Sequence, residues 1–343
     1  MTDLWTKLKK AGKPVAVYGT GNGADKLFSR LESLGIEVVG VFASDGFVRG
    51  KSFHGFRVRS FDDIYAQNTD MTVLTAFGTC REDVIGNILR ISDKCELYAP
   101  DIPVFGDEFF DIRFYAEHKS ELDFVRSRLC DDNSIHVFDS IVNYKLSGEI
   151  SYLFGCESTK DEAYENILKP GDSEIFVDLG AYRGDTVSEF LEHSGGYRYI
   201  YAVEPDKKTY KKLTKNVPSV NVSCINAAAG AGSRTCGFVY CGGRGSHISP
   251  NGEPTDIITV DDTLGGRPAT YIKMDVEGAE HGAILGARQT IQNYKPKMKI
   301  AAYHRSRDIF DIVKTVLSIR KDYKIYMRHH RYIPAWDTDF YFI

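Results

Sequence analysis

The chain lacks any run of about 20 apolar residues, the length a membrane-spanning helix needs. No apolar segment of signal length follows the early lysines Lys7, Lys9 and Lys10. Charge bias is also missing: 43 Lys and Arg stand against 47 Asp and Glu, a net -4. No global field therefore draws the protein to nucleic acid or to an anionic membrane surface. The seven cysteines (positions 80, 95, 130, 156, 224, 236 and 241) contain no C-x-x-C pair. An odd, dispersed set argues against a disulfide framework and for reduced thiols. The closest pair, Cys236 and Cys241, has no further Cys or His at zinc-ligand spacing. Together these absences predict a cytoplasmic protein with no membrane span and no nucleic-acid partner.

What is present begins with length. At 343 residues and 43% apolar content, the chain can bury two separate cores. Its most informative stretch is Ile175-Phe-Val-Asp-Leu-Gly-Ala-Tyr-Arg-Gly-Asp-Thr186. An apolar run reads as a buried strand that ends in Asp178. A loop with Gly180 and Gly184 then opens a helix with Val187, Phe190 and Leu191 on one face. The following strand, Tyr199 to Val203, ends in Glu204-Pro205-Asp206. Glycines admit close backbone approach to a ligand, and a carboxylate at the second strand end suits ribose hydroxyls. This is a nucleoside-binding crevice. Its spacing, Asp178-x-Gly180-x-x-x-Gly184, is not the G-x-G-x-x-G that hugs a pyrophosphate. A negative residue at the strand end instead suits a cationic ligand.

A second strand-loop-helix-strand unit stands near the N-terminus: Val15 to Gly19, Thr20-Gly-Asn-Gly23, a helix from about Ala24 to Leu34, and a strand from Ile36 to Phe42. Its loop is one residue short of the dinucleotide pattern, with Asp45 where a ribose carboxylate would sit. Strands at Met71 to Phe77 and Glu96 to Ala99 complete a small Rossmann-like unit. Its glycines serve either a nucleotide or sugar-nucleotide site or close strand-helix packing. Pro100 and Pro103 mark its end. Residues 107–170 are helix-compatible, with one helix around Ser140 to Leu146. The expected organisation is thus an N-terminal Rossmann-like domain over 1–106, a helical connector over 107–170, and a larger α/β domain over 171–343. The connector is read as a packing bridge, with a substrate wall as the alternative.

In the last segment, strands at Val220 to Ile225, Thr270 to Met274 and Lys297 to Tyr303 follow the first two. A closing antiparallel pair, Tyr323 to Met327 with Asp339 to Phe342, ends the chain. Asp275 lies at one strand end and His304 at another, where ligands of open α/β sheets bind. Glu280 and His281 read as helix-surface residues, and Lys273 is expected to pair with Asp275 or Asp261. Arg244, Ser246 and His247 lie in a loop that could contact substrate.

Val177-Asp-Leu-Gly-Ala, Glu204-Pro205, Asn226-Ala-Ala, Asp261-Asp262, Ile272-Lys-Met-Asp-Val-Glu-Gly-Ala-Glu280 and Tyr303-His304 together resemble the FkbM family of O-methyltransferases. Tyr182 stands where many members have Asn. The resemblance implies a class I methyltransferase sheet and S-adenosyl-L-methionine as cofactor. Asp178, Gly180, Ala181, Tyr182, Gly184 and Thr186 would hold its methionine end, Glu204 the ribose, and Asn226 and Ala227 the adenine side. The implied acceptor is a hydroxyl of a sugar or sugar-bearing metabolite. The N-terminal unit would fit a nucleotide-linked sugar, and a homo-oligomer is compatible with all of this. His304 is the first candidate base, with an ordinary pKa near neutrality. Asp275 is the second, as base or as orienter of the hydroxyl. A metal-free mechanism is expected, because the sequence displays no tight ligand cluster, although Asp275 with Glu277 or Glu280 would be the cation-binding alternative. The rivals are an NAD-dependent sugar-nucleotide oxidoreductase and a non-catalytic nucleotide-sugar scaffold. No Tyr-x-x-x-Lys couple follows the N-terminal loop, which weighs against the former.

Overall fold

The structure is a computed structural model that describes residues 2–44, 50–239, 247–248 and 252–343. Asp45, Cys241, Arg244 and Ser246, named above, lie outside the described residues.

The chain opens with α1 (Leu4–Ala11), β1 (Val15–Tyr18), α2 (Asn22–Leu34) and β2 (Val38–Phe42). A two-stranded ribbon follows, β3 (Ser52–Phe53) and β4 (Phe56–Arg57), then α3 (Phe61–Tyr65), β5 (Thr72–Thr75), α4 (Glu82–Ser92) and β6 (Leu97–Tyr98). The strands make a parallel sheet in the order β2-β1-β5-β6, a doubly wound arrangement in which β1 is buried at every position.

Next come α5 (Ile112–Glu117), α6 (Lys119–Arg126), α7 (Asp132–Ser147), α8 (Ser151–Phe154), α9 (Lys160–Glu162) and a π-helical turn, Ala163–Leu168. The helix expected around Ser140 to Leu146 is longer than its apolar pattern indicates. Asp131 caps it by accepting from the Ser134 N–H at 2.6 Å, which fixes its start a full two turns earlier. Lys145, buried in this helix, pairs with Asp101 at 2.8 Å.

The remainder is β7 (Glu174–Leu179), α10 (Asp185–His193), β8 (Tyr197–Val203), α11 (Lys207–Asn216), β9 (Val222–Ile225), β10 (Ala228–Ala229), β11 (Arg234–Val239), β12 (His247–Ile248), β13 (Glu253–Ile258), α12 (Val260–Leu264), β14 (Tyr271–Met274), α13 (Glu280–Gly286), α14 (Arg288–Tyr294), β15 (Lys297–Ala301), α15 (Asp308–Ile319), β16 (Ile325–His329) and β17 (Thr338–Phe342). Seven of these strands form the large sheet, β16-β17-β15-β14-β7-β8-β9. Five run parallel, and β17 inserts antiparallel between β15 and β16. The α/β class and the closing hairpin agree with the sequence pattern. On one side Phe176 packs on Tyr271 and Phe190, each with ring centroids 4.6 Å away, a contact worth about 0.5–1.5 kcal/mol per pair beyond area burial.

The two sheets are joined by hydrogen bonds as well as chain. Thr79 and Ile333 exchange N–H···O bonds of 2.7 and 2.9 Å, and the Phe105 N–H donates to the His304 carbonyl at 2.9 Å. Lys26 of α2 donates to the carbonyls of Pro103 and Gly106 at 2.9 and 2.8 Å. The connecting helices bind the far edge. Arg328 of β16, 2% exposed, bridges Asp131 and Glu162 at 2.8 Å each. Among the described residues no helix is long and apolar enough to cross a membrane.

Candidate active site

A cavity of about 1140 Å³ opens where the parallel strands of the large sheet end. Its walls come mainly from five strand exits, with two residues of the other half, Gly78 and Phe105. The first exit is the β7–α10 loop. Gly180 takes φ +78°, and a Cβ there would lie 1.8 Å from the Asp275 carbonyl oxygen, so the ends of β7 and β14 can meet only over glycine. Gly184, at φ +88°, starts α10 against the Val217 side chain. Between them Tyr182 adopts φ +46°, a left-handed conformation uncommon for a side-chain-bearing residue. That twist turns its N–H onto Glu204 Oε2 at 3.0 Å.

Glu204, at the exit of β8, is 7% exposed yet lines the cavity. Its other oxygen accepts from the Asp206 N–H at 2.8 Å. Burial pushes the carboxyl up to about 7, with the two N–H donors restraining the rise. The β9 exit is a wall of small residues, Ala227 to Gly232. Asn226 does not line it. Its side-chain amide donates to the carbonyls of Glu204 and Pro205, both at 2.9 Å, and so ties the β8 and β9 exits together.

Sequence reasoning put Asp178 against a ligand. The structure gives it no exposed surface and leaves it out of the cavity wall. Its Oδ1 lies 3.3 Å from the Lys273 ammonium, its register neighbour on β14. Lys273 also donates to the Gly180 carbonyl at 2.8 Å. Burial lifts the Asp178 carboxyl to about 6 against the pull of Lys273. For Lys273, burial is outweighed by the carboxylates of Asp178, Asp275 and Asp185, and its pKa rises. The pair sits directly beneath the glycine loop. The ion-pair partner of Lys273 is thus Asp178, with Asp275, one of the two expected partners, adding to the attraction. Asp261, the other expected partner, instead accepts from the N–H groups of Gln289 and Thr290 at 2.8 and 2.9 Å and caps α14. Of the other loop candidates, Gly180, Tyr182 and Thr186 line the cavity, whereas Ala181 is buried behind it and Gly184 packs on α11.

At the β14 and β15 exits stand Asp275, Glu277 and Tyr303, all on the cavity wall. The Tyr303 hydroxyl donates to Asp275 at 3.2 Å. His304 does not reach the cavity: it is fully buried behind these residues. Its Nε2 lies 3.3 Å from Asp275 Oδ1 and 3.6 Å from Glu277 Oε2, and its Nδ1 lies 3.0 Å from Glu280 Oε1. Burial disfavours the charged ring, but Glu280 first, then Asp275 and Glu277, overcome it and raise the pKa to about 10. An imidazole already charged at neutral pH is no proton acceptor, so the expectation of a His304 base does not match its surroundings. Glu280, expected on a helix surface, is 1% exposed and accepts from the Val276 N–H at 2.9 Å. The tight cluster that the sequence does not display is therefore present in space.

The helical connector supplies none of the wall residues. Its α7 packs on β16 instead, where Ser134 Oγ accepts from the Met327 N–H at 3.0 Å. Phe105 and Trp336 line the cavity without any sequence signal that could have found them. A smaller cavity of about 240 Å³ lies at Thr20 to Gly23 and shares Gly78 and Trp336 with the large one. Gly23 there is required by packing, since a Cβ would meet the Ala76 carbonyl oxygen at 2.6 Å.

Comparison with known proteins adds the following. Residues 178–333 match the methyltransferase FkbM domain. The chain is similar to the crystal structure of methyltransferase FkbM from Methylobacillus flagellatus KT, with 24% identity and a TM-score of 0.72 over 97% of this chain and 90% of that one. It is more distantly similar to Aeropyrum pernix fibrillarin in complex with natively bound S-adenosyl-L-methionine (15% identity, TM-score 0.33, 50% of this chain and 67% of that one). A third likeness is to precorrin-6y C5,15-methyltransferase from Geobacter metallireducens GS-15 (10% identity, TM-score 0.35, 54% of this chain and 90% of that one). No curated protein matches the chain. The first of these structures shares the fold over nearly the whole length.

Proposed function

We propose, from the match of residues 178–333 to the methyltransferase FkbM domain, that the protein is an S-adenosylmethionine-dependent O-methyltransferase acting on a hydroxyl of a sugar or nucleotide-linked sugar. The observation that carries this reading is the cavity of about 1140 Å³ that has Glu204 at one strand exit and Asp275 at another. The residues fit the cofactor. The Gly180 turn brings backbone to the cavity edge, Glu204 offers acceptor oxygens to a ribose, and Ala227 to Gly232 give a flat surface for adenine. When bound, the cofactor supplies an electrophilic methyl group on a sulfonium.

The chain's own residues then have to hold an acceptor hydroxyl in line and take its proton. Asp275 is a carboxylate on the wall at the β14 exit, and Tyr303 and His304 fix its position. His304 is a positioning residue in this account. A nucleotide-linked acceptor is favoured by the shared wall at Gly78 and Trp336, since a ligand in the smaller cavity would extend toward Asp275.

Calorimetric titration with S-adenosylhomocysteine and with NAD in parallel tests the cofactor assignment. Binding of the adenosyl compound and not of NAD is expected. Binding of NAD alone would overturn the reading and move the site to the Gly19 to Gly23 loop.

The state of Glu204 adds a pH signature. Its carboxyl titrates at about 7, and only the ionised form is a pure acceptor for two ribose hydroxyls. Affinity for S-adenosylhomocysteine should therefore rise between pH 6 and pH 8 by up to about tenfold. The same titrations on Glu204→Gln should show weaker binding and lose that part of the slope, ionisation of the ligand being common to both. Equal slopes in the two proteins would remove Glu204 from the ribose site.

A further inference from the structure

The proposed chemistry places the cofactor at the β7, β8 and β9 exits and the accepting hydroxyl at Asp275. The cavity continues past Asp275 to the β15 exit, where Arg305 lines it. This arginine is held from three sides. Its backbone N–H donates to Asp308 Oδ2 at 2.7 Å, and its Nε donates to the Gly278 carbonyl at 2.9 Å. Its guanidinium carbon stands 4.1 Å from the centroid of the Phe105 ring, a cation–π distance. Gly278, at φ +91°, makes room for both neighbours: a Cβ there would lie 2.9 Å from the Phe105 Cβ and 3.4 Å from Arg305 Nε. Phe105 is fixed in turn by its N–H bond to the His304 carbonyl.

That hold leaves the end of the guanidinium unused. Neither Nη1 nor Nη2 makes a hydrogen bond or salt bridge among the described residues. The side-on pair of donors, Nε with one Nη, is closed by the Gly278 carbonyl, so the two Nη groups remain as an end-on pair. Two parallel N–H donors of this kind match two oxygens of a carboxylate or phosphate. The other cations on the wall differ. Lys273 is paired with Asp178. Arg307 donates from Nε to Asp311 and from Nη1 to His118, both at 3.3 Å. Arg234 is exposed on β11 and has no hydrogen bond or salt bridge among the described residues, so a ligand must immobilise it on binding. Arg305 is the wall cation that is both oriented in advance and open at its donor end.

We propose that Arg305 recognises an anionic group on the acceptor, a phosphate or a carboxylate, beside the hydroxyl that is methylated. Its place in an acceptor site rests on the methyltransferase reading. The anion site itself rests only on the surroundings of Arg305. A phosphate would belong to the diphosphate of a nucleotide-linked sugar, and a carboxylate to a uronic acid. Asp275 and Glu277 share the wall and repel an anion placed against them. The anionic end of the acceptor is therefore directed to Arg305, and a hydroxyl to Asp275.

Calorimetric titration of the full chain with glucose 1-phosphate, glucuronate and neutral glucose tests this. At least one anionic sugar should bind at least about tenfold more tightly than glucose, as a charge-assisted two-point contact implies. Preference for glucose 1-phosphate assigns the phosphate, and preference for glucuronate the carboxylate. Arg305→Gln should erase the preference. Arg305→Lys is the milder variant, keeping the charge without the fork, and its preference should fall without vanishing. Native binding that does not distinguish the three sugars, no binding of any of them, or an undiminished preference in either variant would overturn the site. S-adenosylhomocysteine titration of the native chain separates the two ideas. Its binding without an anion preference keeps the methyltransferase and removes the Arg305 site. An anion preference lost in Arg305→Gln, in a chain that does not bind the adenosyl compound, keeps the site and removes the methyltransferase.

Discussion

Replacement of Asp178 by alanine is expected to destabilise the protein by about 3–5 kcal/mol, the usual penalty for leaving the partner of a buried ion pair uncompensated. Lys273 is 5% exposed and the pair is 3.3 Å apart. Without the carboxylate, the ammonium keeps the Gly180 carbonyl as an acceptor at 2.8 Å and the attraction of Asp275 and Asp185, but loses its paired charge. The Lys273 side chain stands at the cavity wall but is almost wholly buried. Lys273→Met should be costly for the mirror reason, since Asp178 has no other hydrogen-bond partner among the described residues. The combined variant Asp178→Ala/Lys273→Met should be clearly more stable than the sum of the two single changes, because no unpaired charge remains. Denaturant midpoints of the four proteins decide this. Single variants as stable as the native chain, with the loss confined to affinity for S-adenosylhomocysteine, would return Asp178 to the ligand-gripping role that its strand-end position indicates in the sequence.

That contrast shows what the sequence reveals and what it withholds. The apolar run before Asp178, the two glycines and the helix with Val187 and Phe190 inward are local signals. They are found where expected in β7, its loop and α10. The closing antiparallel pair is legible for the same reason, through alternation and a turn. The partner of Asp178 is not legible. It depends on β14 lying beside β7 in one register, a pairing between residues 95 positions apart in sequence. Glu280 misleads in a related way. Its place in the first turn of an amphipathic helix reads as exposed, but the Val276 to Gly278 loop folds back over its carboxylate and β15 delivers His304 against it. Helix α7 hides its length because buried Ser134 and Lys145 interrupt the apolar pattern, each satisfied by a distant partner, Met327 and Asp101. Phe105 and Trp336 reach the cavity only because the two sheets dock, and no local pattern carries that information.

Substitution of Gly180 by alanine should abolish binding of adenosyl compounds while the rest of the chain stays folded. Two costs coincide at this position. A left-handed φ of +78° is unfavourable for alanine by about 1–2 kcal/mol. The larger cost is steric, for the new Cβ would lie 1.8 Å from the Asp275 carbonyl oxygen and 2.9 Å from its carbon. Both atoms are backbone, so no rotamer change relieves the overlap. The β7 and β14 exits must separate, and each carries part of the site. On one side the Tyr182 N–H leaves Glu204, and on the other the Asp275 carboxylate leaves Tyr303 and His304. A loss of at least about a hundredfold in affinity for S-adenosylhomocysteine, or roughly 2.8 kcal/mol, is the expected calorimetric result. Gly184→Ala provides the comparison. Its nearest neighbour is the Val217 side chain at 2.8 Å, which can rotate, so its defect should be smaller. Circular dichroism on each protein separates a local lesion from global unfolding. Native affinity in a folded Gly180→Ala protein would mean that the β7–α10 loop does not contact the cofactor, and the site would have to be sought elsewhere along the cavity.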